Sequence, residues 1–140
     1  MSKVPLCLLA ACAVLSLAAP ALAAGNAAKG ETGFKKCRAC HSIIKADGTA
    51  VVAGGKVGPN LYAVIGRAAG TLDFDYSDLM KAAAAKGLLW DEVALAIYVT
   101  DPTTYLREKS GATSGNSKMT FKLAKGGEDV AAYLASVAQN

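Results

Sequence analysis

Cys37-Arg38-Ala39-Cys40-His41 decides the reading of this chain. Two thiols separated by two residues, with an imidazole directly after the second, make the spacing C-x-x-C-H. A bare C-x-x-C would suit a redox dithiol or half of a zinc site. A zinc site needs about four ligands, yet His41 is the only histidine in the chain. The remaining cysteines, Cys7 and Cys12, fall in a segment that reads as a removable leader. A dithiol gives the adjacent histidine no task. A porphyrin uses all three groups, because each thiol can add across a vinyl group and the imidazole then stands beneath the iron. The pentapeptide therefore predicts a single covalently bound haem c, attached at Cys37 and Cys40, with His41 as an axial ligand.

Upstream, Lys3 gives a short positive start, residues 6–22 are almost wholly apolar, and Ala21-Leu22-Ala23 is a small-x-small cleavage signal. The apolar run is broken by Pro20 and too short for a membrane span. Residues 1–23 are expected to be a secretory signal peptide, leaving residues 24–140 as one domain in the periplasm. Leu9-Ala10-Ala11-Cys12 also resembles a lipoprotein box, which would instead leave a lipid on Cys12. About 117 residues beyond Ala23 suffice for one compact domain and are too few for two.

The coarse pattern is helical. Asn26 can cap a helix running into Cys37, and Ser77 one that passes through the alanine run to Gly87. Asp91 can cap a third over residues 92–100. Asp101-Pro102 then opens a short fourth, with the aspartate as cap and proline in the first turn. Residues 45–58, rich in glycine, and residues 107–118 read as loops. Residues 128–138 place Val130, Tyr133, Leu134, Val137 and Ala138 on one apolar face. No alternating strand pattern stands out, so the fold class is all-α: a few helices and long loops wrapped around one haem.

Iron with histidine on one side needs a second axial ligand or an open position. An open site binds gases or does oxygen chemistry, whereas a closed His/Met site suits outer-sphere electron transfer. Besides Met1, only Met80 and Met119 carry a thioether. Met80 sits in the alanine-rich helix and reads as core filler. Met119, in Ser117-Lys118-Met119-Thr120-Phe121 between a loop and the last helix, is better placed to fold across a haem face.

The residues now resemble a family. The chain is similar to the class I cytochromes c, most closely the bacterial cytochromes c2 of purple phototrophs, over essentially all of residues 24–140. The likeness is carried by Gly30, Phe34, Cys37 to His41, Gly58-Pro59-Asn60-Leu61, Gly66-Arg67, Phe74-Asp75-Tyr76-Ser77-Asp78, Leu89-Trp90, Tyr98, Asp101-Pro102 with Tyr105, Lys118-Met119-Thr120-Phe121 and Glu128 to Leu134. The resemblance implies Met119 as the second axial ligand. It implies that the Pro59 carbonyl holds the other ring nitrogen of His41 and that Arg67, Tyr76 and Trp90 surround the haem propionates. It also implies that Tyr98 lies near the methionine sulfur, and that Gly30 and Tyr133 meet where the first helix crosses the last. Two departures stand out. The loops between His41 and Pro59 and between Tyr105 and Met119 are longer than in mitochondrial relatives, and Met80 stands where many relatives have asparagine.

Charge points to partners. The formal net charge is +4; without Lys3 and with two ionised propionates it falls to about +1. Distribution matters more. Residues 29–58 and 107–125 together hold eleven bases against three acids, while residues 73–92 hold two bases against five acids. Lys35, Lys36, Lys56, Lys109, Lys118, Lys122 and Lys125 are expected to ring the haem edge and meet acidic faces. Nucleic acid is not an expected partner, because the bases are not interleaved with exposed aromatics. No base, nucleophile or acid pair accompanies the haem, so no enzyme activity is expected. The resemblance implies a soluble periplasmic shuttle, monomeric with transient complexes. It would carry electrons from a quinol-oxidising cytochrome bc1-type complex to a photosynthetic reaction centre or terminal oxidase. The competing readings are a haem c sensor whose sixth site opens to small ligands, and an accessory subunit docked on one complex.

Overall fold

The computed structural model describes residues 24–139; the expected signal peptide, residues 1–23, and with it Cys12, lies outside them. Four of the helices begin where a short polar side chain accepts an otherwise orphaned backbone N–H. Asn26 accepts from Lys29 N at 3.0 Å to start α1 (Ala27–Phe34). Ser77 accepts from Met80 N at 3.1 Å to start α2 (Asp78–Ala85). Asp91 accepts from Ala94 N at 2.6 Å to start α3 (Glu92–Thr100). Asp101 closes α3, then accepts from Thr104 N at 3.1 Å to open α4 (Pro102–Ser110). The last helix, α5 (Gly127–Val137), has no side-chain cap and starts from Gly126 in the left-handed region. Glu128 and Asp129 in its first turn face the positive end of the helix dipole.

Three boundaries differ from the sequence expectation. Helix α1 stops at Phe34 instead of reaching Cys37, because Lys35, Lys36 and Cys37 each bond back three residues, tightening the chain into turns. The glycine-rich stretch contains a small antiparallel hairpin, β1 (Ile43–Ile44) against β2 (Ala50–Val52), with Ile43 opposite Val52 and a bulge beside it. Strands of two and three residues are too short to leave a periodic signal. Helix α4 runs on to Ser110 and ends where Gly111, at φ 73°, returns its N–H to the Arg107 carbonyl.

Helices α1 and α5 cross, α3 packs on α5 and α4, and α2 packs on α4. The interior joins Phe34, Ile43, Leu79, Leu95, Leu106, Val130 and Leu134. The α1–α5 crossing depends on Gly30, where an added Cβ would stand 1.9 Å from the Asp129 carbonyl oxygen and 2.8 Å from Tyr133 Cβ. Phe34 packs on Tyr133 beside it, ring centroids 5.7 Å apart. In an exposed helix, Gly→Ala stabilises by up to about 1 kcal/mol. Here the sign is expected to reverse: Gly30→Ala should lower the unfolding free energy of the holoprotein by about 1–3 kcal/mol through overpacking, measured by urea denaturation.

Candidate functional site

The helices and loops enclose a cavity of about 550 Å³ lined by Cys37, Cys40, His41 and Met119 together with mostly apolar side chains. That volume lies within the roughly 300–1,000 Å³ of small-molecule and cofactor sites. Cys37 and Cys40 are free thiols, the first half-buried and the second exposed. Burial pushes the Cys37 thiol up, opposed by the charge of Lys36.

His41 is held from two sides. Its Nδ1 lies 2.7 Å from the Pro59 carbonyl oxygen. A carbonyl can only accept, so Nδ1 carries the proton and the Nε2 lone pair is left as a donor. Burial also pushes the imidazole below its ordinary value, which keeps the ring in the neutral, ligating form; the Pro59 bond opposes this in part. On the ring lies Gly58, where a Cβ would stand 2.3–2.7 Å from three ring atoms. Glycine is therefore required at that contact. The same loop is bonded to the cysteine segment through Gly55 N to Arg38 O at 2.9 Å and Gly58 N to Cys40 O at 2.8 Å. Asn60 fixes Pro59 in place: its side-chain amide pairs with both backbone groups of Ile44, at 2.9 and 2.7 Å.

Met119 is carried on a strap, residues 117–123, laid along the α3–α4 corner. Ser117 N donates to Thr103 Oγ1 at 3.0 Å and Leu123 N to the Val99 carbonyl at 2.7 Å. Ser117 Oγ accepts from Met119 N at 3.1 Å, a local turn that orients Met119. Lys118 Nζ lies 2.6 Å from Asp75 Oδ2 and 2.9 Å from the Asp75 carbonyl oxygen, and Lys122 Nζ 2.6 Å from Asp101 Oδ2. These lysines hold the carboxyls of Asp75 and Asp101 below the usual carboxylate range. Carboxyls shifted down keep their pairs at neutral pH and lose them as pH falls through the lowered values.

The other expected residues, Pro59, Arg67, Tyr76, Trp90 and Tyr98, also line the cavity. Arg67 and Trp90 are brought together by backbone pairing, with Trp90 N to Arg67 O at 2.9 Å and Gly66 N to Trp90 O at 2.6 Å. Arg67 donates to the carbonyls of Tyr62 and Asn60 at 3.2 and 3.1 Å. Burial raises the Tyr98 phenol, partly offset by a hydrogen bond with the Ser117 side chain. Tyr98 also packs on Trp90 at 4.9 Å between centroids.

The lysines divide. Lys36 and Lys118 line the cavity, while Lys35, Lys56, Lys122 and Lys125 are exposed on segments flanking it. Lys109 does not line it. Its ammonium sits 5.3 Å from the Tyr105 ring centroid, in a separate hollow of about 270 Å³ shared with Lys86. Sequence reasoning gave no site role to Asp75 and Asp101, which face Lys118 and Lys122, nor to the cavity-lining Val57, Phe121 and Ser117. The S-x-M spacing of Ser117 and Met119 was the one signal available for the last. Met80 is buried at 8% exposure in the core, as its pattern suggests, and it also lines the cavity.

A covalently held haem fits these residues: two thiols, a neutral imidazole whose free lone pair is Nε2, a thioether, and apolar walls broken by Arg67, Tyr76 and Trp90 meet in one cavity of suitable size. Comparison with known proteins points the same way. The chain is 58% identical over 126 residues to cytochrome c2 of Rhodobacter capsulatus, covering 89% of this chain and 91% of that protein. It is 51% identical over 120 residues to cytochrome c-551 of Roseobacter denitrificans, with 86% of each covered. The solved structure of the Rhodobacter capsulatus cytochrome c2 superposes with a TM-score of 0.79 at 57% identity, over 81% of this chain and 98% of that one. No family model matches the chain.

Proposed function

Since the chain belongs to the cytochrome c2 family of class I cytochromes c and is an electron-transfer cytochrome with one covalent haem c, we propose that it is a periplasmic shuttle. It takes electrons from a quinol-oxidising cytochrome bc1-type complex and gives them to a reaction centre or terminal oxidase. The observation that carries this reading is the convergence of Cys37, Cys40, His41 and Met119 on one cavity, with His41 and Met119 each fixed by its own hydrogen bonds. The bound haem iron supplies one-electron exchange between its ferrous and ferric states, and a fixed nitrogen and sulfur pair keeps reorganisation small.

The protein's own groups do the rest. Cys37 and Cys40 would hold the haem covalently, each by addition of its S–H across a vinyl group. Pro59 fixes the His41 tautomer and strengthens it as a donor. Met119, on its strap, would supply the thioether ligand to the iron. Arg67, Tyr76 and Trp90 offer donors and positive charge to the propionates, offsetting their desolvation. With the iron held between His41 and Met119, the protein would carry electrons rather than turn over a bound substrate. Residues 1–23 serve as the export signal.

Docking is assigned to the cavity mouth, where Lys36 and Lys118 line the same cavity as the exposed Val57 and Phe121. Among the described residues Lys36 makes no ion pair, while Lys118 and Lys122 are already compensated by Asp75 and Asp101. Charge reversal at Lys36 is therefore expected to slow low-salt electron transfer to an acidic partner more than reversal at Lys81 or Lys86, and to flatten the salt dependence. Salt screens such encounters over about 8 Å at physiological ionic strength. Flash or stopped-flow kinetics against one purified membrane complex would test this; equal effects from Lys36 and Lys86 would mean that overall charge steers the encounter.

A further inference from the structure

The strap that carries Met119 touches the α3–α4 corner at three points in antiparallel order. Ser117 meets Thr103, Lys122 meets Asp101 and Leu123 meets Val99. The first and last are hydrogen bonds to residues already fixed by the helices. The middle contact is an ion pair at 2.6 Å, with the two side chains 58% and 35% exposed. Asp101 is committed on both oxygens: Oδ1 accepts from Thr104 N to cap α4, and Oδ2 holds Lys122. A carboxylate oriented by a helix cap has less freedom to lose when it forms a pair, which raises the pair above a floating surface contact. Its position matters as much. Met119 lies between the Ser117 anchor on one side and the Lys122 and Leu123 anchors on the other. The Lys122–Asp101 pair is the nearer of those two to the methionine, so a lift that reaches Met119 from the C-terminal side must part it.

We propose that Asp101 is a positioning residue for Met119, acting through Lys122: the pair clasps the strap to the α3–α4 corner and sets how often the methionine leaves the iron. The proposal rests on the reading of Met119 as axial ligand. It gives Lys122 a task inside the molecule, apart from partner docking. Lys118 and Asp75 tie the other end of the strap to the segment before α2, so loss of the Asp101 pair leaves the C-terminal side held by the Leu123–Val99 hydrogen bond alone while the other end keeps its own ties.

The test uses ferric holoprotein and follows displacement of the methionine by imidazole through loss of the sulfur-to-iron charge-transfer band. Asp101→Asn keeps an amide oxygen for the α4 cap and drops the charge; Lys122→Gln removes the same pair from the other side. At low salt each variant is expected to displace about two- to fivefold faster than the native protein, the scale of a surface ion pair. The double variant should be no faster than either single one, and Lys122→Arg should keep the native rate. At about 1 M salt, where screening reaches about 3 Å, the differences should shrink. A native rate in Lys122→Gln would overturn the proposal, and would assign any effect of Asp101→Asn to the helix cap. So would an acceleration undiminished by high salt. Should Asp101→Asn fail to fold, the exposed Lys122 variants decide alone. Absence of the band in native protein would instead remove the Met119 reading and the proposal with it.

Discussion

Replacing both Cys37 and Cys40 by alanine is expected to abolish accumulation of folded holoprotein. The cavity of about 550 Å³ is walled mostly by apolar side chains that a bound porphyrin would cover. At roughly 24 cal/mol per Å³ of cavity, leaving it empty costs on the order of 10 kcal/mol, comparable with the whole 5–15 kcal/mol of a typical domain. Water entering the open mouth lowers that figure without supplying the lost contacts. Acid–acetone extraction provides the measurement. The native protein should keep its colour in the precipitated polypeptide, because two thioethers hold the porphyrin. The double variant should yield free haem or none. Native protein that releases its haem to the solvent would refute the attachment at Cys37 and Cys40.

Met119→Ala is expected to have the second large effect. It should erase the sulfur-to-iron band, admit water or small ligands to the iron, and lower the midpoint potential by on the order of 0.1 V or more, since axial ligands set haem potentials over about 0.8 V. Met80→Ala is the informative partner, because both methionines line the cavity. Met80 belongs to the core cluster and its backbone N–H is tied to the Ser77 cap. Its truncation should cost about 2–5 kcal/mol of stability and leave the band in place. Loss of the band in Met80→Ala with retention in Met119→Ala would reverse the ligand assignment.

Much of the architecture could be read from residues whose local chemistry is self-contained. Asn26, Ser77, Asp91 and Asp101 announce helix starts because each cap is a bond three residues away, and the structure forms all four. The apolar face of α5 was legible because its period is long and regular; Ala131, fully buried beside it, was not foreseen. The hairpin at Ile43–Ile44 and Ala50–Val52 was not legible, being shorter than any pattern that could identify it. At the site, C-x-x-C-H needs no tertiary information, whereas the choice between two methionines does. The Pro59 contact to His41 was implied only by family resemblance, since nothing local marks a carbonyl eighteen residues away.

Charge was the least legible property. A lysine's sign is plain in sequence, but its compensation depends on chain segments far apart, as with Lys118 and Asp75, which are 43 residues apart. Lys109 falls within the base-rich residues 107–125, and that position in the sequence suggests the haem edge. The continuation of α4 to Ser110 carries it instead to the Tyr105 ring. The glycine-rich loop is the opposite case. Its composition suggested freedom, yet Gly58 is there for contact, holding backbone against the His41 ring at a distance no side chain would permit.

The most direct test of a closed His41/Met119 site, on which electron carriage depends, is titration of the native ferrous protein with carbon monoxide, followed by its absorption spectrum. A methionine held on a strap anchored at both ends should keep the iron covered, and the expected result is an unchanged spectrum at saturating gas. Stoichiometric formation of a carbon monoxide complex at neutral pH would contradict it, and would make the protein a ligand-binding haem sensor.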